Sequence, residues 1–221
     1  GDKIAIVLPN SPEAATVFLT AANCATAAPL NPAYTQDEYA YYLNDLQAKM
    51  LLTSDADGPA ALAARGLGIQ IVLVSVDEDH PAGAFDLDLP SGPAHPLNTA
   101  TPQDIALVLH TSGTTSRPKL VPLTHGNVSA SGHNVATSLG LDSSDICLNV
   151  MPLFHIHGLI AAVLGSLSAG GSIYCTTGFN ALKIYAWMED AQPSWYTAVP
   201  TMHQAIVARA ARNVEAVKAS R

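Results

Sequence analysis

Short apolar runs alternate with helix-periodic stretches along most of the chain. "KIAIVL" (3–8) is strand-like and stops at Pro9 and Asn10. In "SPEAATVFLTAANCATA" (11–27), Ser11 takes the N-cap position, Pro12 the first helical position and Glu13 the first turn, which predicts a helix. "APLNP" (28–32) breaks it. "TQDEYAYYLNDLQ" (35–47) predicts a second helix, with Thr35 and Glu38 at capping-box spacing. "KMLLTS" (49–54) predicts a strand, residues 56–65 an Ala-rich helix, and "IQIVLVSV" (69–76) a strand.

Residues 77–103 are rich in Asp, Pro and Gly and follow neither a period of 2 nor one of 3.6, which predicts a surface loop or linker. Beyond it come strand "DIALVLH" (104–110), a Thr/Ser loop, strand "KLVPLT" (119–124) and a helix over 125–138. Strand "DICLNV" (145–150), helix "HGLIAAVLGSLSA" (157–169) and strand "SIYCT" (172–176) follow. Helix "ALKIYAWMED" (181–190), strand "WYTAV" (195–199) and helix "TMHQAIVARAA" (201–211) complete the alternation. Continuously apolar strands between helices predict an α/β fold of mostly parallel sheets flanked by helices. The pattern divides into a first α/β part (1–76), the loop (77–103) and a second α/β part (104–221).

With 221 residues, 48% of them hydrophobic, the chain can bury a core of one large or two small domains. It has no apolar run long enough to span a membrane and no secretory signal pattern. The formal net charge is −8, unevenly spread: residues 1–104 balance at −10 and residues 105–221 at +2. Without a basic stripe, nonspecific nucleic-acid binding is not expected. Cys24, Cys147 and Cys175 are odd in number and far apart, which reads as reduced, mostly buried thiols in a cytosol-like compartment. The chain enters a strand directly at "GDKIAIVLPN" without Met and ends at "EAVKASR" in helical character. That reads as a piece of a longer protein, with a processed mature chain as the alternative.

The densest chemistry lies at "LVLHTSGTTSRPKLVPLTH" (107–125), inside an acid-free window from 105 to 141. Phosphates bind where backbone N–H groups converge, where small hydroxyls donate without bulk and where a cation stands near. Gly113 supplies the turn, Thr111, Ser112, Thr114, Thr115 and Ser116 the hydroxyls, and Arg117 and Lys119 the cations. The spacing does not match a Walker loop, and a strand rather than a helix follows Lys119. Ser/Thr/Gly runs are also ordinary loops. The position after a buried strand and the missing carboxylates favour an anion site.

"TSGTTSRPK" resembles the phosphate-binding loop of the adenylate-forming enzymes: acyl-CoA synthetases, luciferases and adenylation domains. "MPLFHIHG" (151–158) resembles that family's next motif and "SWYTAVPTMHQ" (194–204) its third landmark. "GDKIAIVLPNSPE" and "APLNPAYTQDEYAYYLND" are similar to its early region, so the resemblance covers nearly the whole chain. Ser116 and Leu120 stand where the family usually has glycine. The "TTSRPK", "VPLTH" and "FHIHG" variants look most like the oxalate–CoA ligase branch.

The resemblance implies a partial N-terminal AMP-binding domain over 1–221, without the small C-terminal domain. It implies an acid–thiol ligase: a carboxylate attacks the α-phosphate of ATP, pyrophosphate leaves, and the thiol of CoA then displaces AMP. Thr111, Ser112, Gly113, Thr114, Thr115 and Lys119 would hold the β- and γ-phosphates, with Mg²⁺ neutralising them. His155 matches the position beside the reacting carboxylate, as a catalytic and substrate-binding residue. His157 and His203 are further substrate-binding candidates, since a small diacid such as oxalate keeps a charge that needs donors in its pocket. A lone histidine on a helix is ordinarily structural. The His-x-His pair lacks a third ligand at metal spacing, so no metal site is expected. Gly170 and Gly171 fall near the implied pantetheine route and also read as a helix C-cap. Tyr39, Tyr41 and Tyr42 read as packing. The implied partners are a small carboxylic acid, CoA and the remainder of the protein's own chain, in the cytoplasm or, for a eukaryotic chain, the peroxisome. The adenine and ribose contacts and a C-terminal lysine would lie beyond 221, so the segment by itself is expected not to turn over. An adenylation domain loading a carrier protein, or a non-catalytic nucleotide- or anion-binding relative, are the alternatives.

Overall fold

A computed structural model describes residues 1–77, 79–89, 99–111 and 118–219. They form two compact units, Gly1–Val128 and Ser129–Arg221.

In the first unit, β1 (Lys3–Val7), α1 (Pro12–Cys24), β2 (Thr26–Pro29), α2 (Gln36–Leu46), β3 (Met50–Thr53), α3 (Pro59–Gly66) and β4 (Gln70–Ser75) alternate along the chain. After them come β5 (Asp86–Leu87), β6 (Ile105–Thr111) and β7 (Lys119–Thr124). The described strands make one sheet in the order β5-β4-β3-β1-β2-β6-β7. Pairs among β4, β3, β1, β2 and β6 are parallel, and the outer strands β5 and β7 run antiparallel to their neighbours. The fold is therefore α/β with a mostly parallel sheet, as the alternation predicts.

Local chemistry sets the helix starts. Ser11 Oγ accepts from the Ala14 N–H at 3.1 Å, with Pro12 at the first position of α1. At α2 the capping box is complete: Thr35 N–H donates to Glu38 Oε2 at 2.7 Å, and Glu38 N–H donates to Thr35 Oγ1 at 3.4 Å. Alternation along the strands sends Ala5, Val7, Leu51 and Val108 to one face, where they pack with Tyr39, Leu43 and Leu46 of α2 and Ala60, Ala63 and Ala64 of α3. The Tyr39 hydroxyl, carried on a fully buried ring, donates to the Asn31 carbonyl at 2.8 Å, so its burial leaves no unpaired polar atom.

The first unit departs from the sequence pattern at three points. The helix predicted over 11–27 ends at Cys24, and Thr26–Pro29, predicted as helix end and break, is a fully buried strand. "TAAP" is short and small and is buried on both faces, so it shows no alternation. Its strand state is decided by pairing with β1 and β6. The predicted loop 77–103 contains β5, which pairs with β4 through Val74–Leu87 and Ser75–Asp86. The same loop is tied to α1: Gly83 N–H donates to Glu13 Oε1 at 2.9 Å, and Thr16 Oγ1 donates to the Gly83 carbonyl at 2.6 Å. Finally, β6 and β7 complete the first sheet, so the compact units divide at Val128 and not at the 77–103 loop.

Helix α4 (His125–Leu139) leads into the second unit. There β8 (Ile146–Asn149), β9 (Ser172–Cys175) and β10 (Trp195–Thr197) form a parallel sheet in the order β10-β8-β9. Helices α6 (Ile184–Ala191), α7 (Pro200–Ala210) and α8 (Val214–Ala219) follow. Leu148, Val150, Ile184, Tyr185, Met188 and Ile206 form its core. The helix predicted over 157–169 is a π-helix at His157–Leu164, followed by the short α5 (Gly165–Ser168). Gly165 N–H reaches back five residues to the Ile160 carbonyl, a spacing that apolar periodicity does not reveal. Among the described residues no helix is long and apolar enough to cross a membrane.

Candidate functional site

The hydroxyl-rich segment lies between β6 and β7 in the sequence. These antiparallel strands register Thr111 opposite Lys119, and the Thr111 hydroxyl faces the Lys119 carbonyl at 3.5 Å. Both residues are exposed, and together they form the last described rung on either side of that segment. A strand, not a helix, receives the chain after Lys119, as the sequence pattern predicts. Ser112, Gly113, Thr114 and Thr115, together with Ser116 and Arg117, lie outside the described residues.

The three candidate histidines lie in the second unit. His155 sits in the turn after β8, its N–H donating to the Pro152 carbonyl at 3.3 Å and its ring 4.4 Å from that of Phe154. The residue presents much of its surface to solvent, yet enough protein surrounds the ring that burial holds its pKa below the ordinary histidine value. Near neutral pH the imidazole is therefore uncharged, one nitrogen donating and the other accepting.

His157 opens the π-helix. Its Nε2 lies 2.6 Å from Thr197 Oγ1, at the end of β10. The next residue, Gly158, passes against the carbonyls of Pro152 and Met151, where a side chain has no room. His203, on α7, places Nδ1 3.1 Å from the Tyr196 hydroxyl. Tyr196 and Thr197 are consecutive on a strand, so their side chains leave opposite faces. The structure thus brings His155 and His157 to neighbouring positions and sets His203 across β10 from His157.

Three polar residues beside these histidines escape the sequence pattern. Thr197 and Tyr196 partner His157 and His203. Asn149 ends β8, in register with Thr197 on one side and Cys175 on the other. It is fully buried; its Oδ1 accepts from the Met151 N–H at 3.1 Å, while its Nδ2 has no partner among the described residues. The signal available was a polar residue at the carboxyl end of an apolar strand, the edge where open parallel sheets bind ligands.

Gly170 and Gly171 cap α5. Gly170 has φ +78°, Gly170 N–H donates to Leu167 and Gly171 N–H to Ser166, the pairing of a Schellman motif. Tyr39 and Tyr42 pack as expected against the first core, while Tyr41 is 43% exposed. None of the three cysteines is in a disulfide: Cys147 is buried, Cys175 partly so and Cys24 exposed, where mostly buried thiols were expected. Among the described residues, no three His, Cys, Asp or Glu side chains are grouped to hold a metal.

The profile of a family described as AMP-binding enzyme matches residues 1–220. The oxalate–CoA ligase of Arabidopsis thaliana is 43% identical over 97% of this chain, which spans 43% of that protein. A malonyl-CoA ligase, solved as a ternary product complex with methylmalonyl-CoA and AMP bound, is 28% identical with a TM-score of 0.77, over 98% of this chain and 44% of its own. The o-succinylbenzoate coenzyme A synthetase of Bacillus subtilis, in complex with ATP and magnesium ion, is 25% identical with a TM-score of 0.75, over 94% of this chain and 53% of its own. The chain therefore spans less than half the length of the curated relatives it matches.

Proposed function

The chain belongs to the family of AMP-binding enzymes, and from that premise we propose that it is part of an acid–CoA ligase acting on a small diacid, oxalate foremost. The observation that carries the proposal is the identity with an oxalate–CoA ligase along almost all of the chain. The contact of His157 Nε2 with the Thr197 hydroxyl agrees with it.

In the first step a carboxylate oxygen of the acid attacks the α-phosphorus of ATP. The bond to the bridging oxygen breaks and pyrophosphate leaves, giving the acyl-adenylate. In the second step the CoA sulfur attacks the acyl carbonyl and AMP leaves. Both steps pass negative charge to a leaving phosphate group, so the protein's part is to orient the reactants and stabilise that charge. Thr111, Ser112, Gly113, Thr114, Thr115 and Lys119 are assigned to the phosphates of ATP, which bring Mg²⁺ with them. Lys119 enters as the cation on the rung that closes the loop.

His155, held neutral by its surroundings, is assigned to the reacting carboxylate as a hydrogen-bond donor. His157, oriented by Thr197, is assigned to the second carboxylate, which keeps its charge after adenylation. His203, bound to Tyr196 across the strand, is assigned to holding α7 on β10. Cys24, Cys147 and Cys175, none of them in a disulfide, fit a reducing, cytoplasmic setting.

The test is pyrophosphate release by the full-length protein with ATP, Mg²⁺ and CoA against oxalate, malonate, acetate, a medium-chain fatty acid and a cinnamate. Oxalate is expected to give the highest kcat/KM. Preference for the fatty acid would defeat the polar-pocket assignment. Adenylate formation without transfer to CoA would move the reading to a carrier-loading domain, and no pyrophosphate with any acid to a non-catalytic relative.

A further inference from the structure

His110 is the last residue of β6 before Thr111, opposite Leu120 in β7. Its side chain is only 7% exposed, yet it is polar, and its partner comes from a distant helix: Nε2 lies 3.0 Å from Asp45 Oδ2 on α2. Tyr42, three residues before Asp45 and on the same helix face, meets the His110 ring edge-on at 4.7 Å. Behind it Tyr34 stacks on Tyr42, rings 4.7 Å apart and 11° from parallel. The end of β6 is thus gripped by a carboxylate and an aromatic stack.

Packing alone does not explain a histidine here. An apolar ring would fill the same space against Tyr42, with no polar atom to satisfy in a buried position. What the imidazole adds is direction: a hydrogen bond to a carboxylate fixes the ring's rotation and its distance from α2. One residue later the strand reaches Thr111 and its partner Lys119, the described rung that flanks the hydroxyl-rich segment in the sequence.

We propose that His110 and Asp45 form a positioning couple for the nucleotide, setting the strand end that carries the phosphate loop. This rests on the reading of that loop as the phosphate site. The couple touches neither the acid nor the reacting atoms, so its loss weakens ATP binding selectively. Asp45 is 41% exposed and can be changed without opening the core.

The experiment uses the full-length protein with Asp45→Ala, Asp45→Asn, His110→Phe and the double variant Asp45→Ala/His110→Phe. ATP binding without acid is measured by calorimetry, beside KM for ATP and for oxalate. Asp45→Ala and His110→Phe are expected to raise the Kd for ATP about five- to tenfold, the loss of one charge-assisted hydrogen bond. The double variant is expected to be no weaker than the singles, since they remove one shared interaction. Asp45→Asn, which keeps an acceptor for the imidazole N–H, recovers most of the affinity. KM for oxalate stays within about twofold, the scatter of independent sites.

An ATP Kd unchanged by Asp45→Ala, an equal rise of KM for acid and ATP, or single effects that simply multiply would overturn the couple. Wild-type protein that binds ATP but makes no acyl-CoA sinks the proposed function alone, because the Kd comparison still decides His110 and Asp45. Wild-type protein that binds no ATP sinks both.

Discussion

Gly158 follows His157 directly, and a methyl group at this position has nowhere to go. Its Cβ would meet the Pro152 carbonyl oxygen, the Pro152 carbonyl carbon at 3.0 Å and the Met151 carbonyl oxygen at 3.3 Å. All three are backbone atoms, so no rotamer change relieves the contact. Either the turn holding His155 or the start of the π-helix has to shift. Overpacking by one methyl against backbone costs about 1–3 kcal/mol, and contact with three backbone atoms places it in the upper part, about 2–3 kcal/mol; alanine's helix propensity over glycine returns about 1 kcal/mol. The net loss for Gly158→Ala is therefore about 1–2 kcal/mol, or a fall in melting temperature of roughly 3–6 °C for a domain of this size. The functional consequence is more specific than the stability loss. His157 is bound to Thr197 at 2.6 Å, and a displacement of its backbone breaks that bond. KM for the acid should then rise severalfold with KM for ATP nearly unchanged. Thermal unfolding by fluorimetry and the two KM values on full-length protein measure both effects. Gly66→Ala is the control, since Gly66 has open space around its added Cβ. A Gly158→Ala variant that melts with the wild type and keeps its acid KM would refute the reasoning.

Lys119→Ala should weaken ATP use by about tenfold or more, while His155→Ala should raise acid KM and lower the adenylation rate; equal effects of both on acid affinity would count against the assignments. Because burial lowers the His155 pKa, its neutral form prevails above the ordinary histidine pKa of about 6.5. Acid-side kcat/KM should hold at that pH and fall only as pH drops through the lowered value, a limb absent from His155→Asn; a limb rising above pH 7 would contradict it. Burial pushes the Cys147 thiol up to about 12, while Cys24 is exposed. Brief iodoacetamide treatment of native protein, read by mass spectrometry, should label Cys24 and spare Cys147. Gly83→Ala forces a side chain onto φ +86° and against Thr16 Cγ2 at 3.0 Å, and should lower the urea midpoint by an amount worth about 1–2 kcal/mol.

Most of the architecture is written in short-range pattern. Ser11 with Pro12, and Thr35 with Glu38, act across three or four residues, so their caps appear in the sequence and recur in the structure. The apolar runs of β1, β3, β4, β6 and β8 report strands buried between helices, and their alternation with helices gives the α/β class. The loop "TSGTTSRPK" and the "MPLFHIHG" segment carried the family resemblance through residue type and order. Tertiary structure decided what lacks a local signature. "TAAP" became a strand because β1 and β6 flank it, against alanine's helical preference. The segment after His157 became a π-helix, with Gly158 seated beneath the turn's carbonyls. Thr197 meets His157 across 40 residues and Asp45 meets His110 across 65, separations over which no period reaches. Hydrophobic period reports that a residue is buried; only the stacking of strands and helices decides which polar group waits there to receive it.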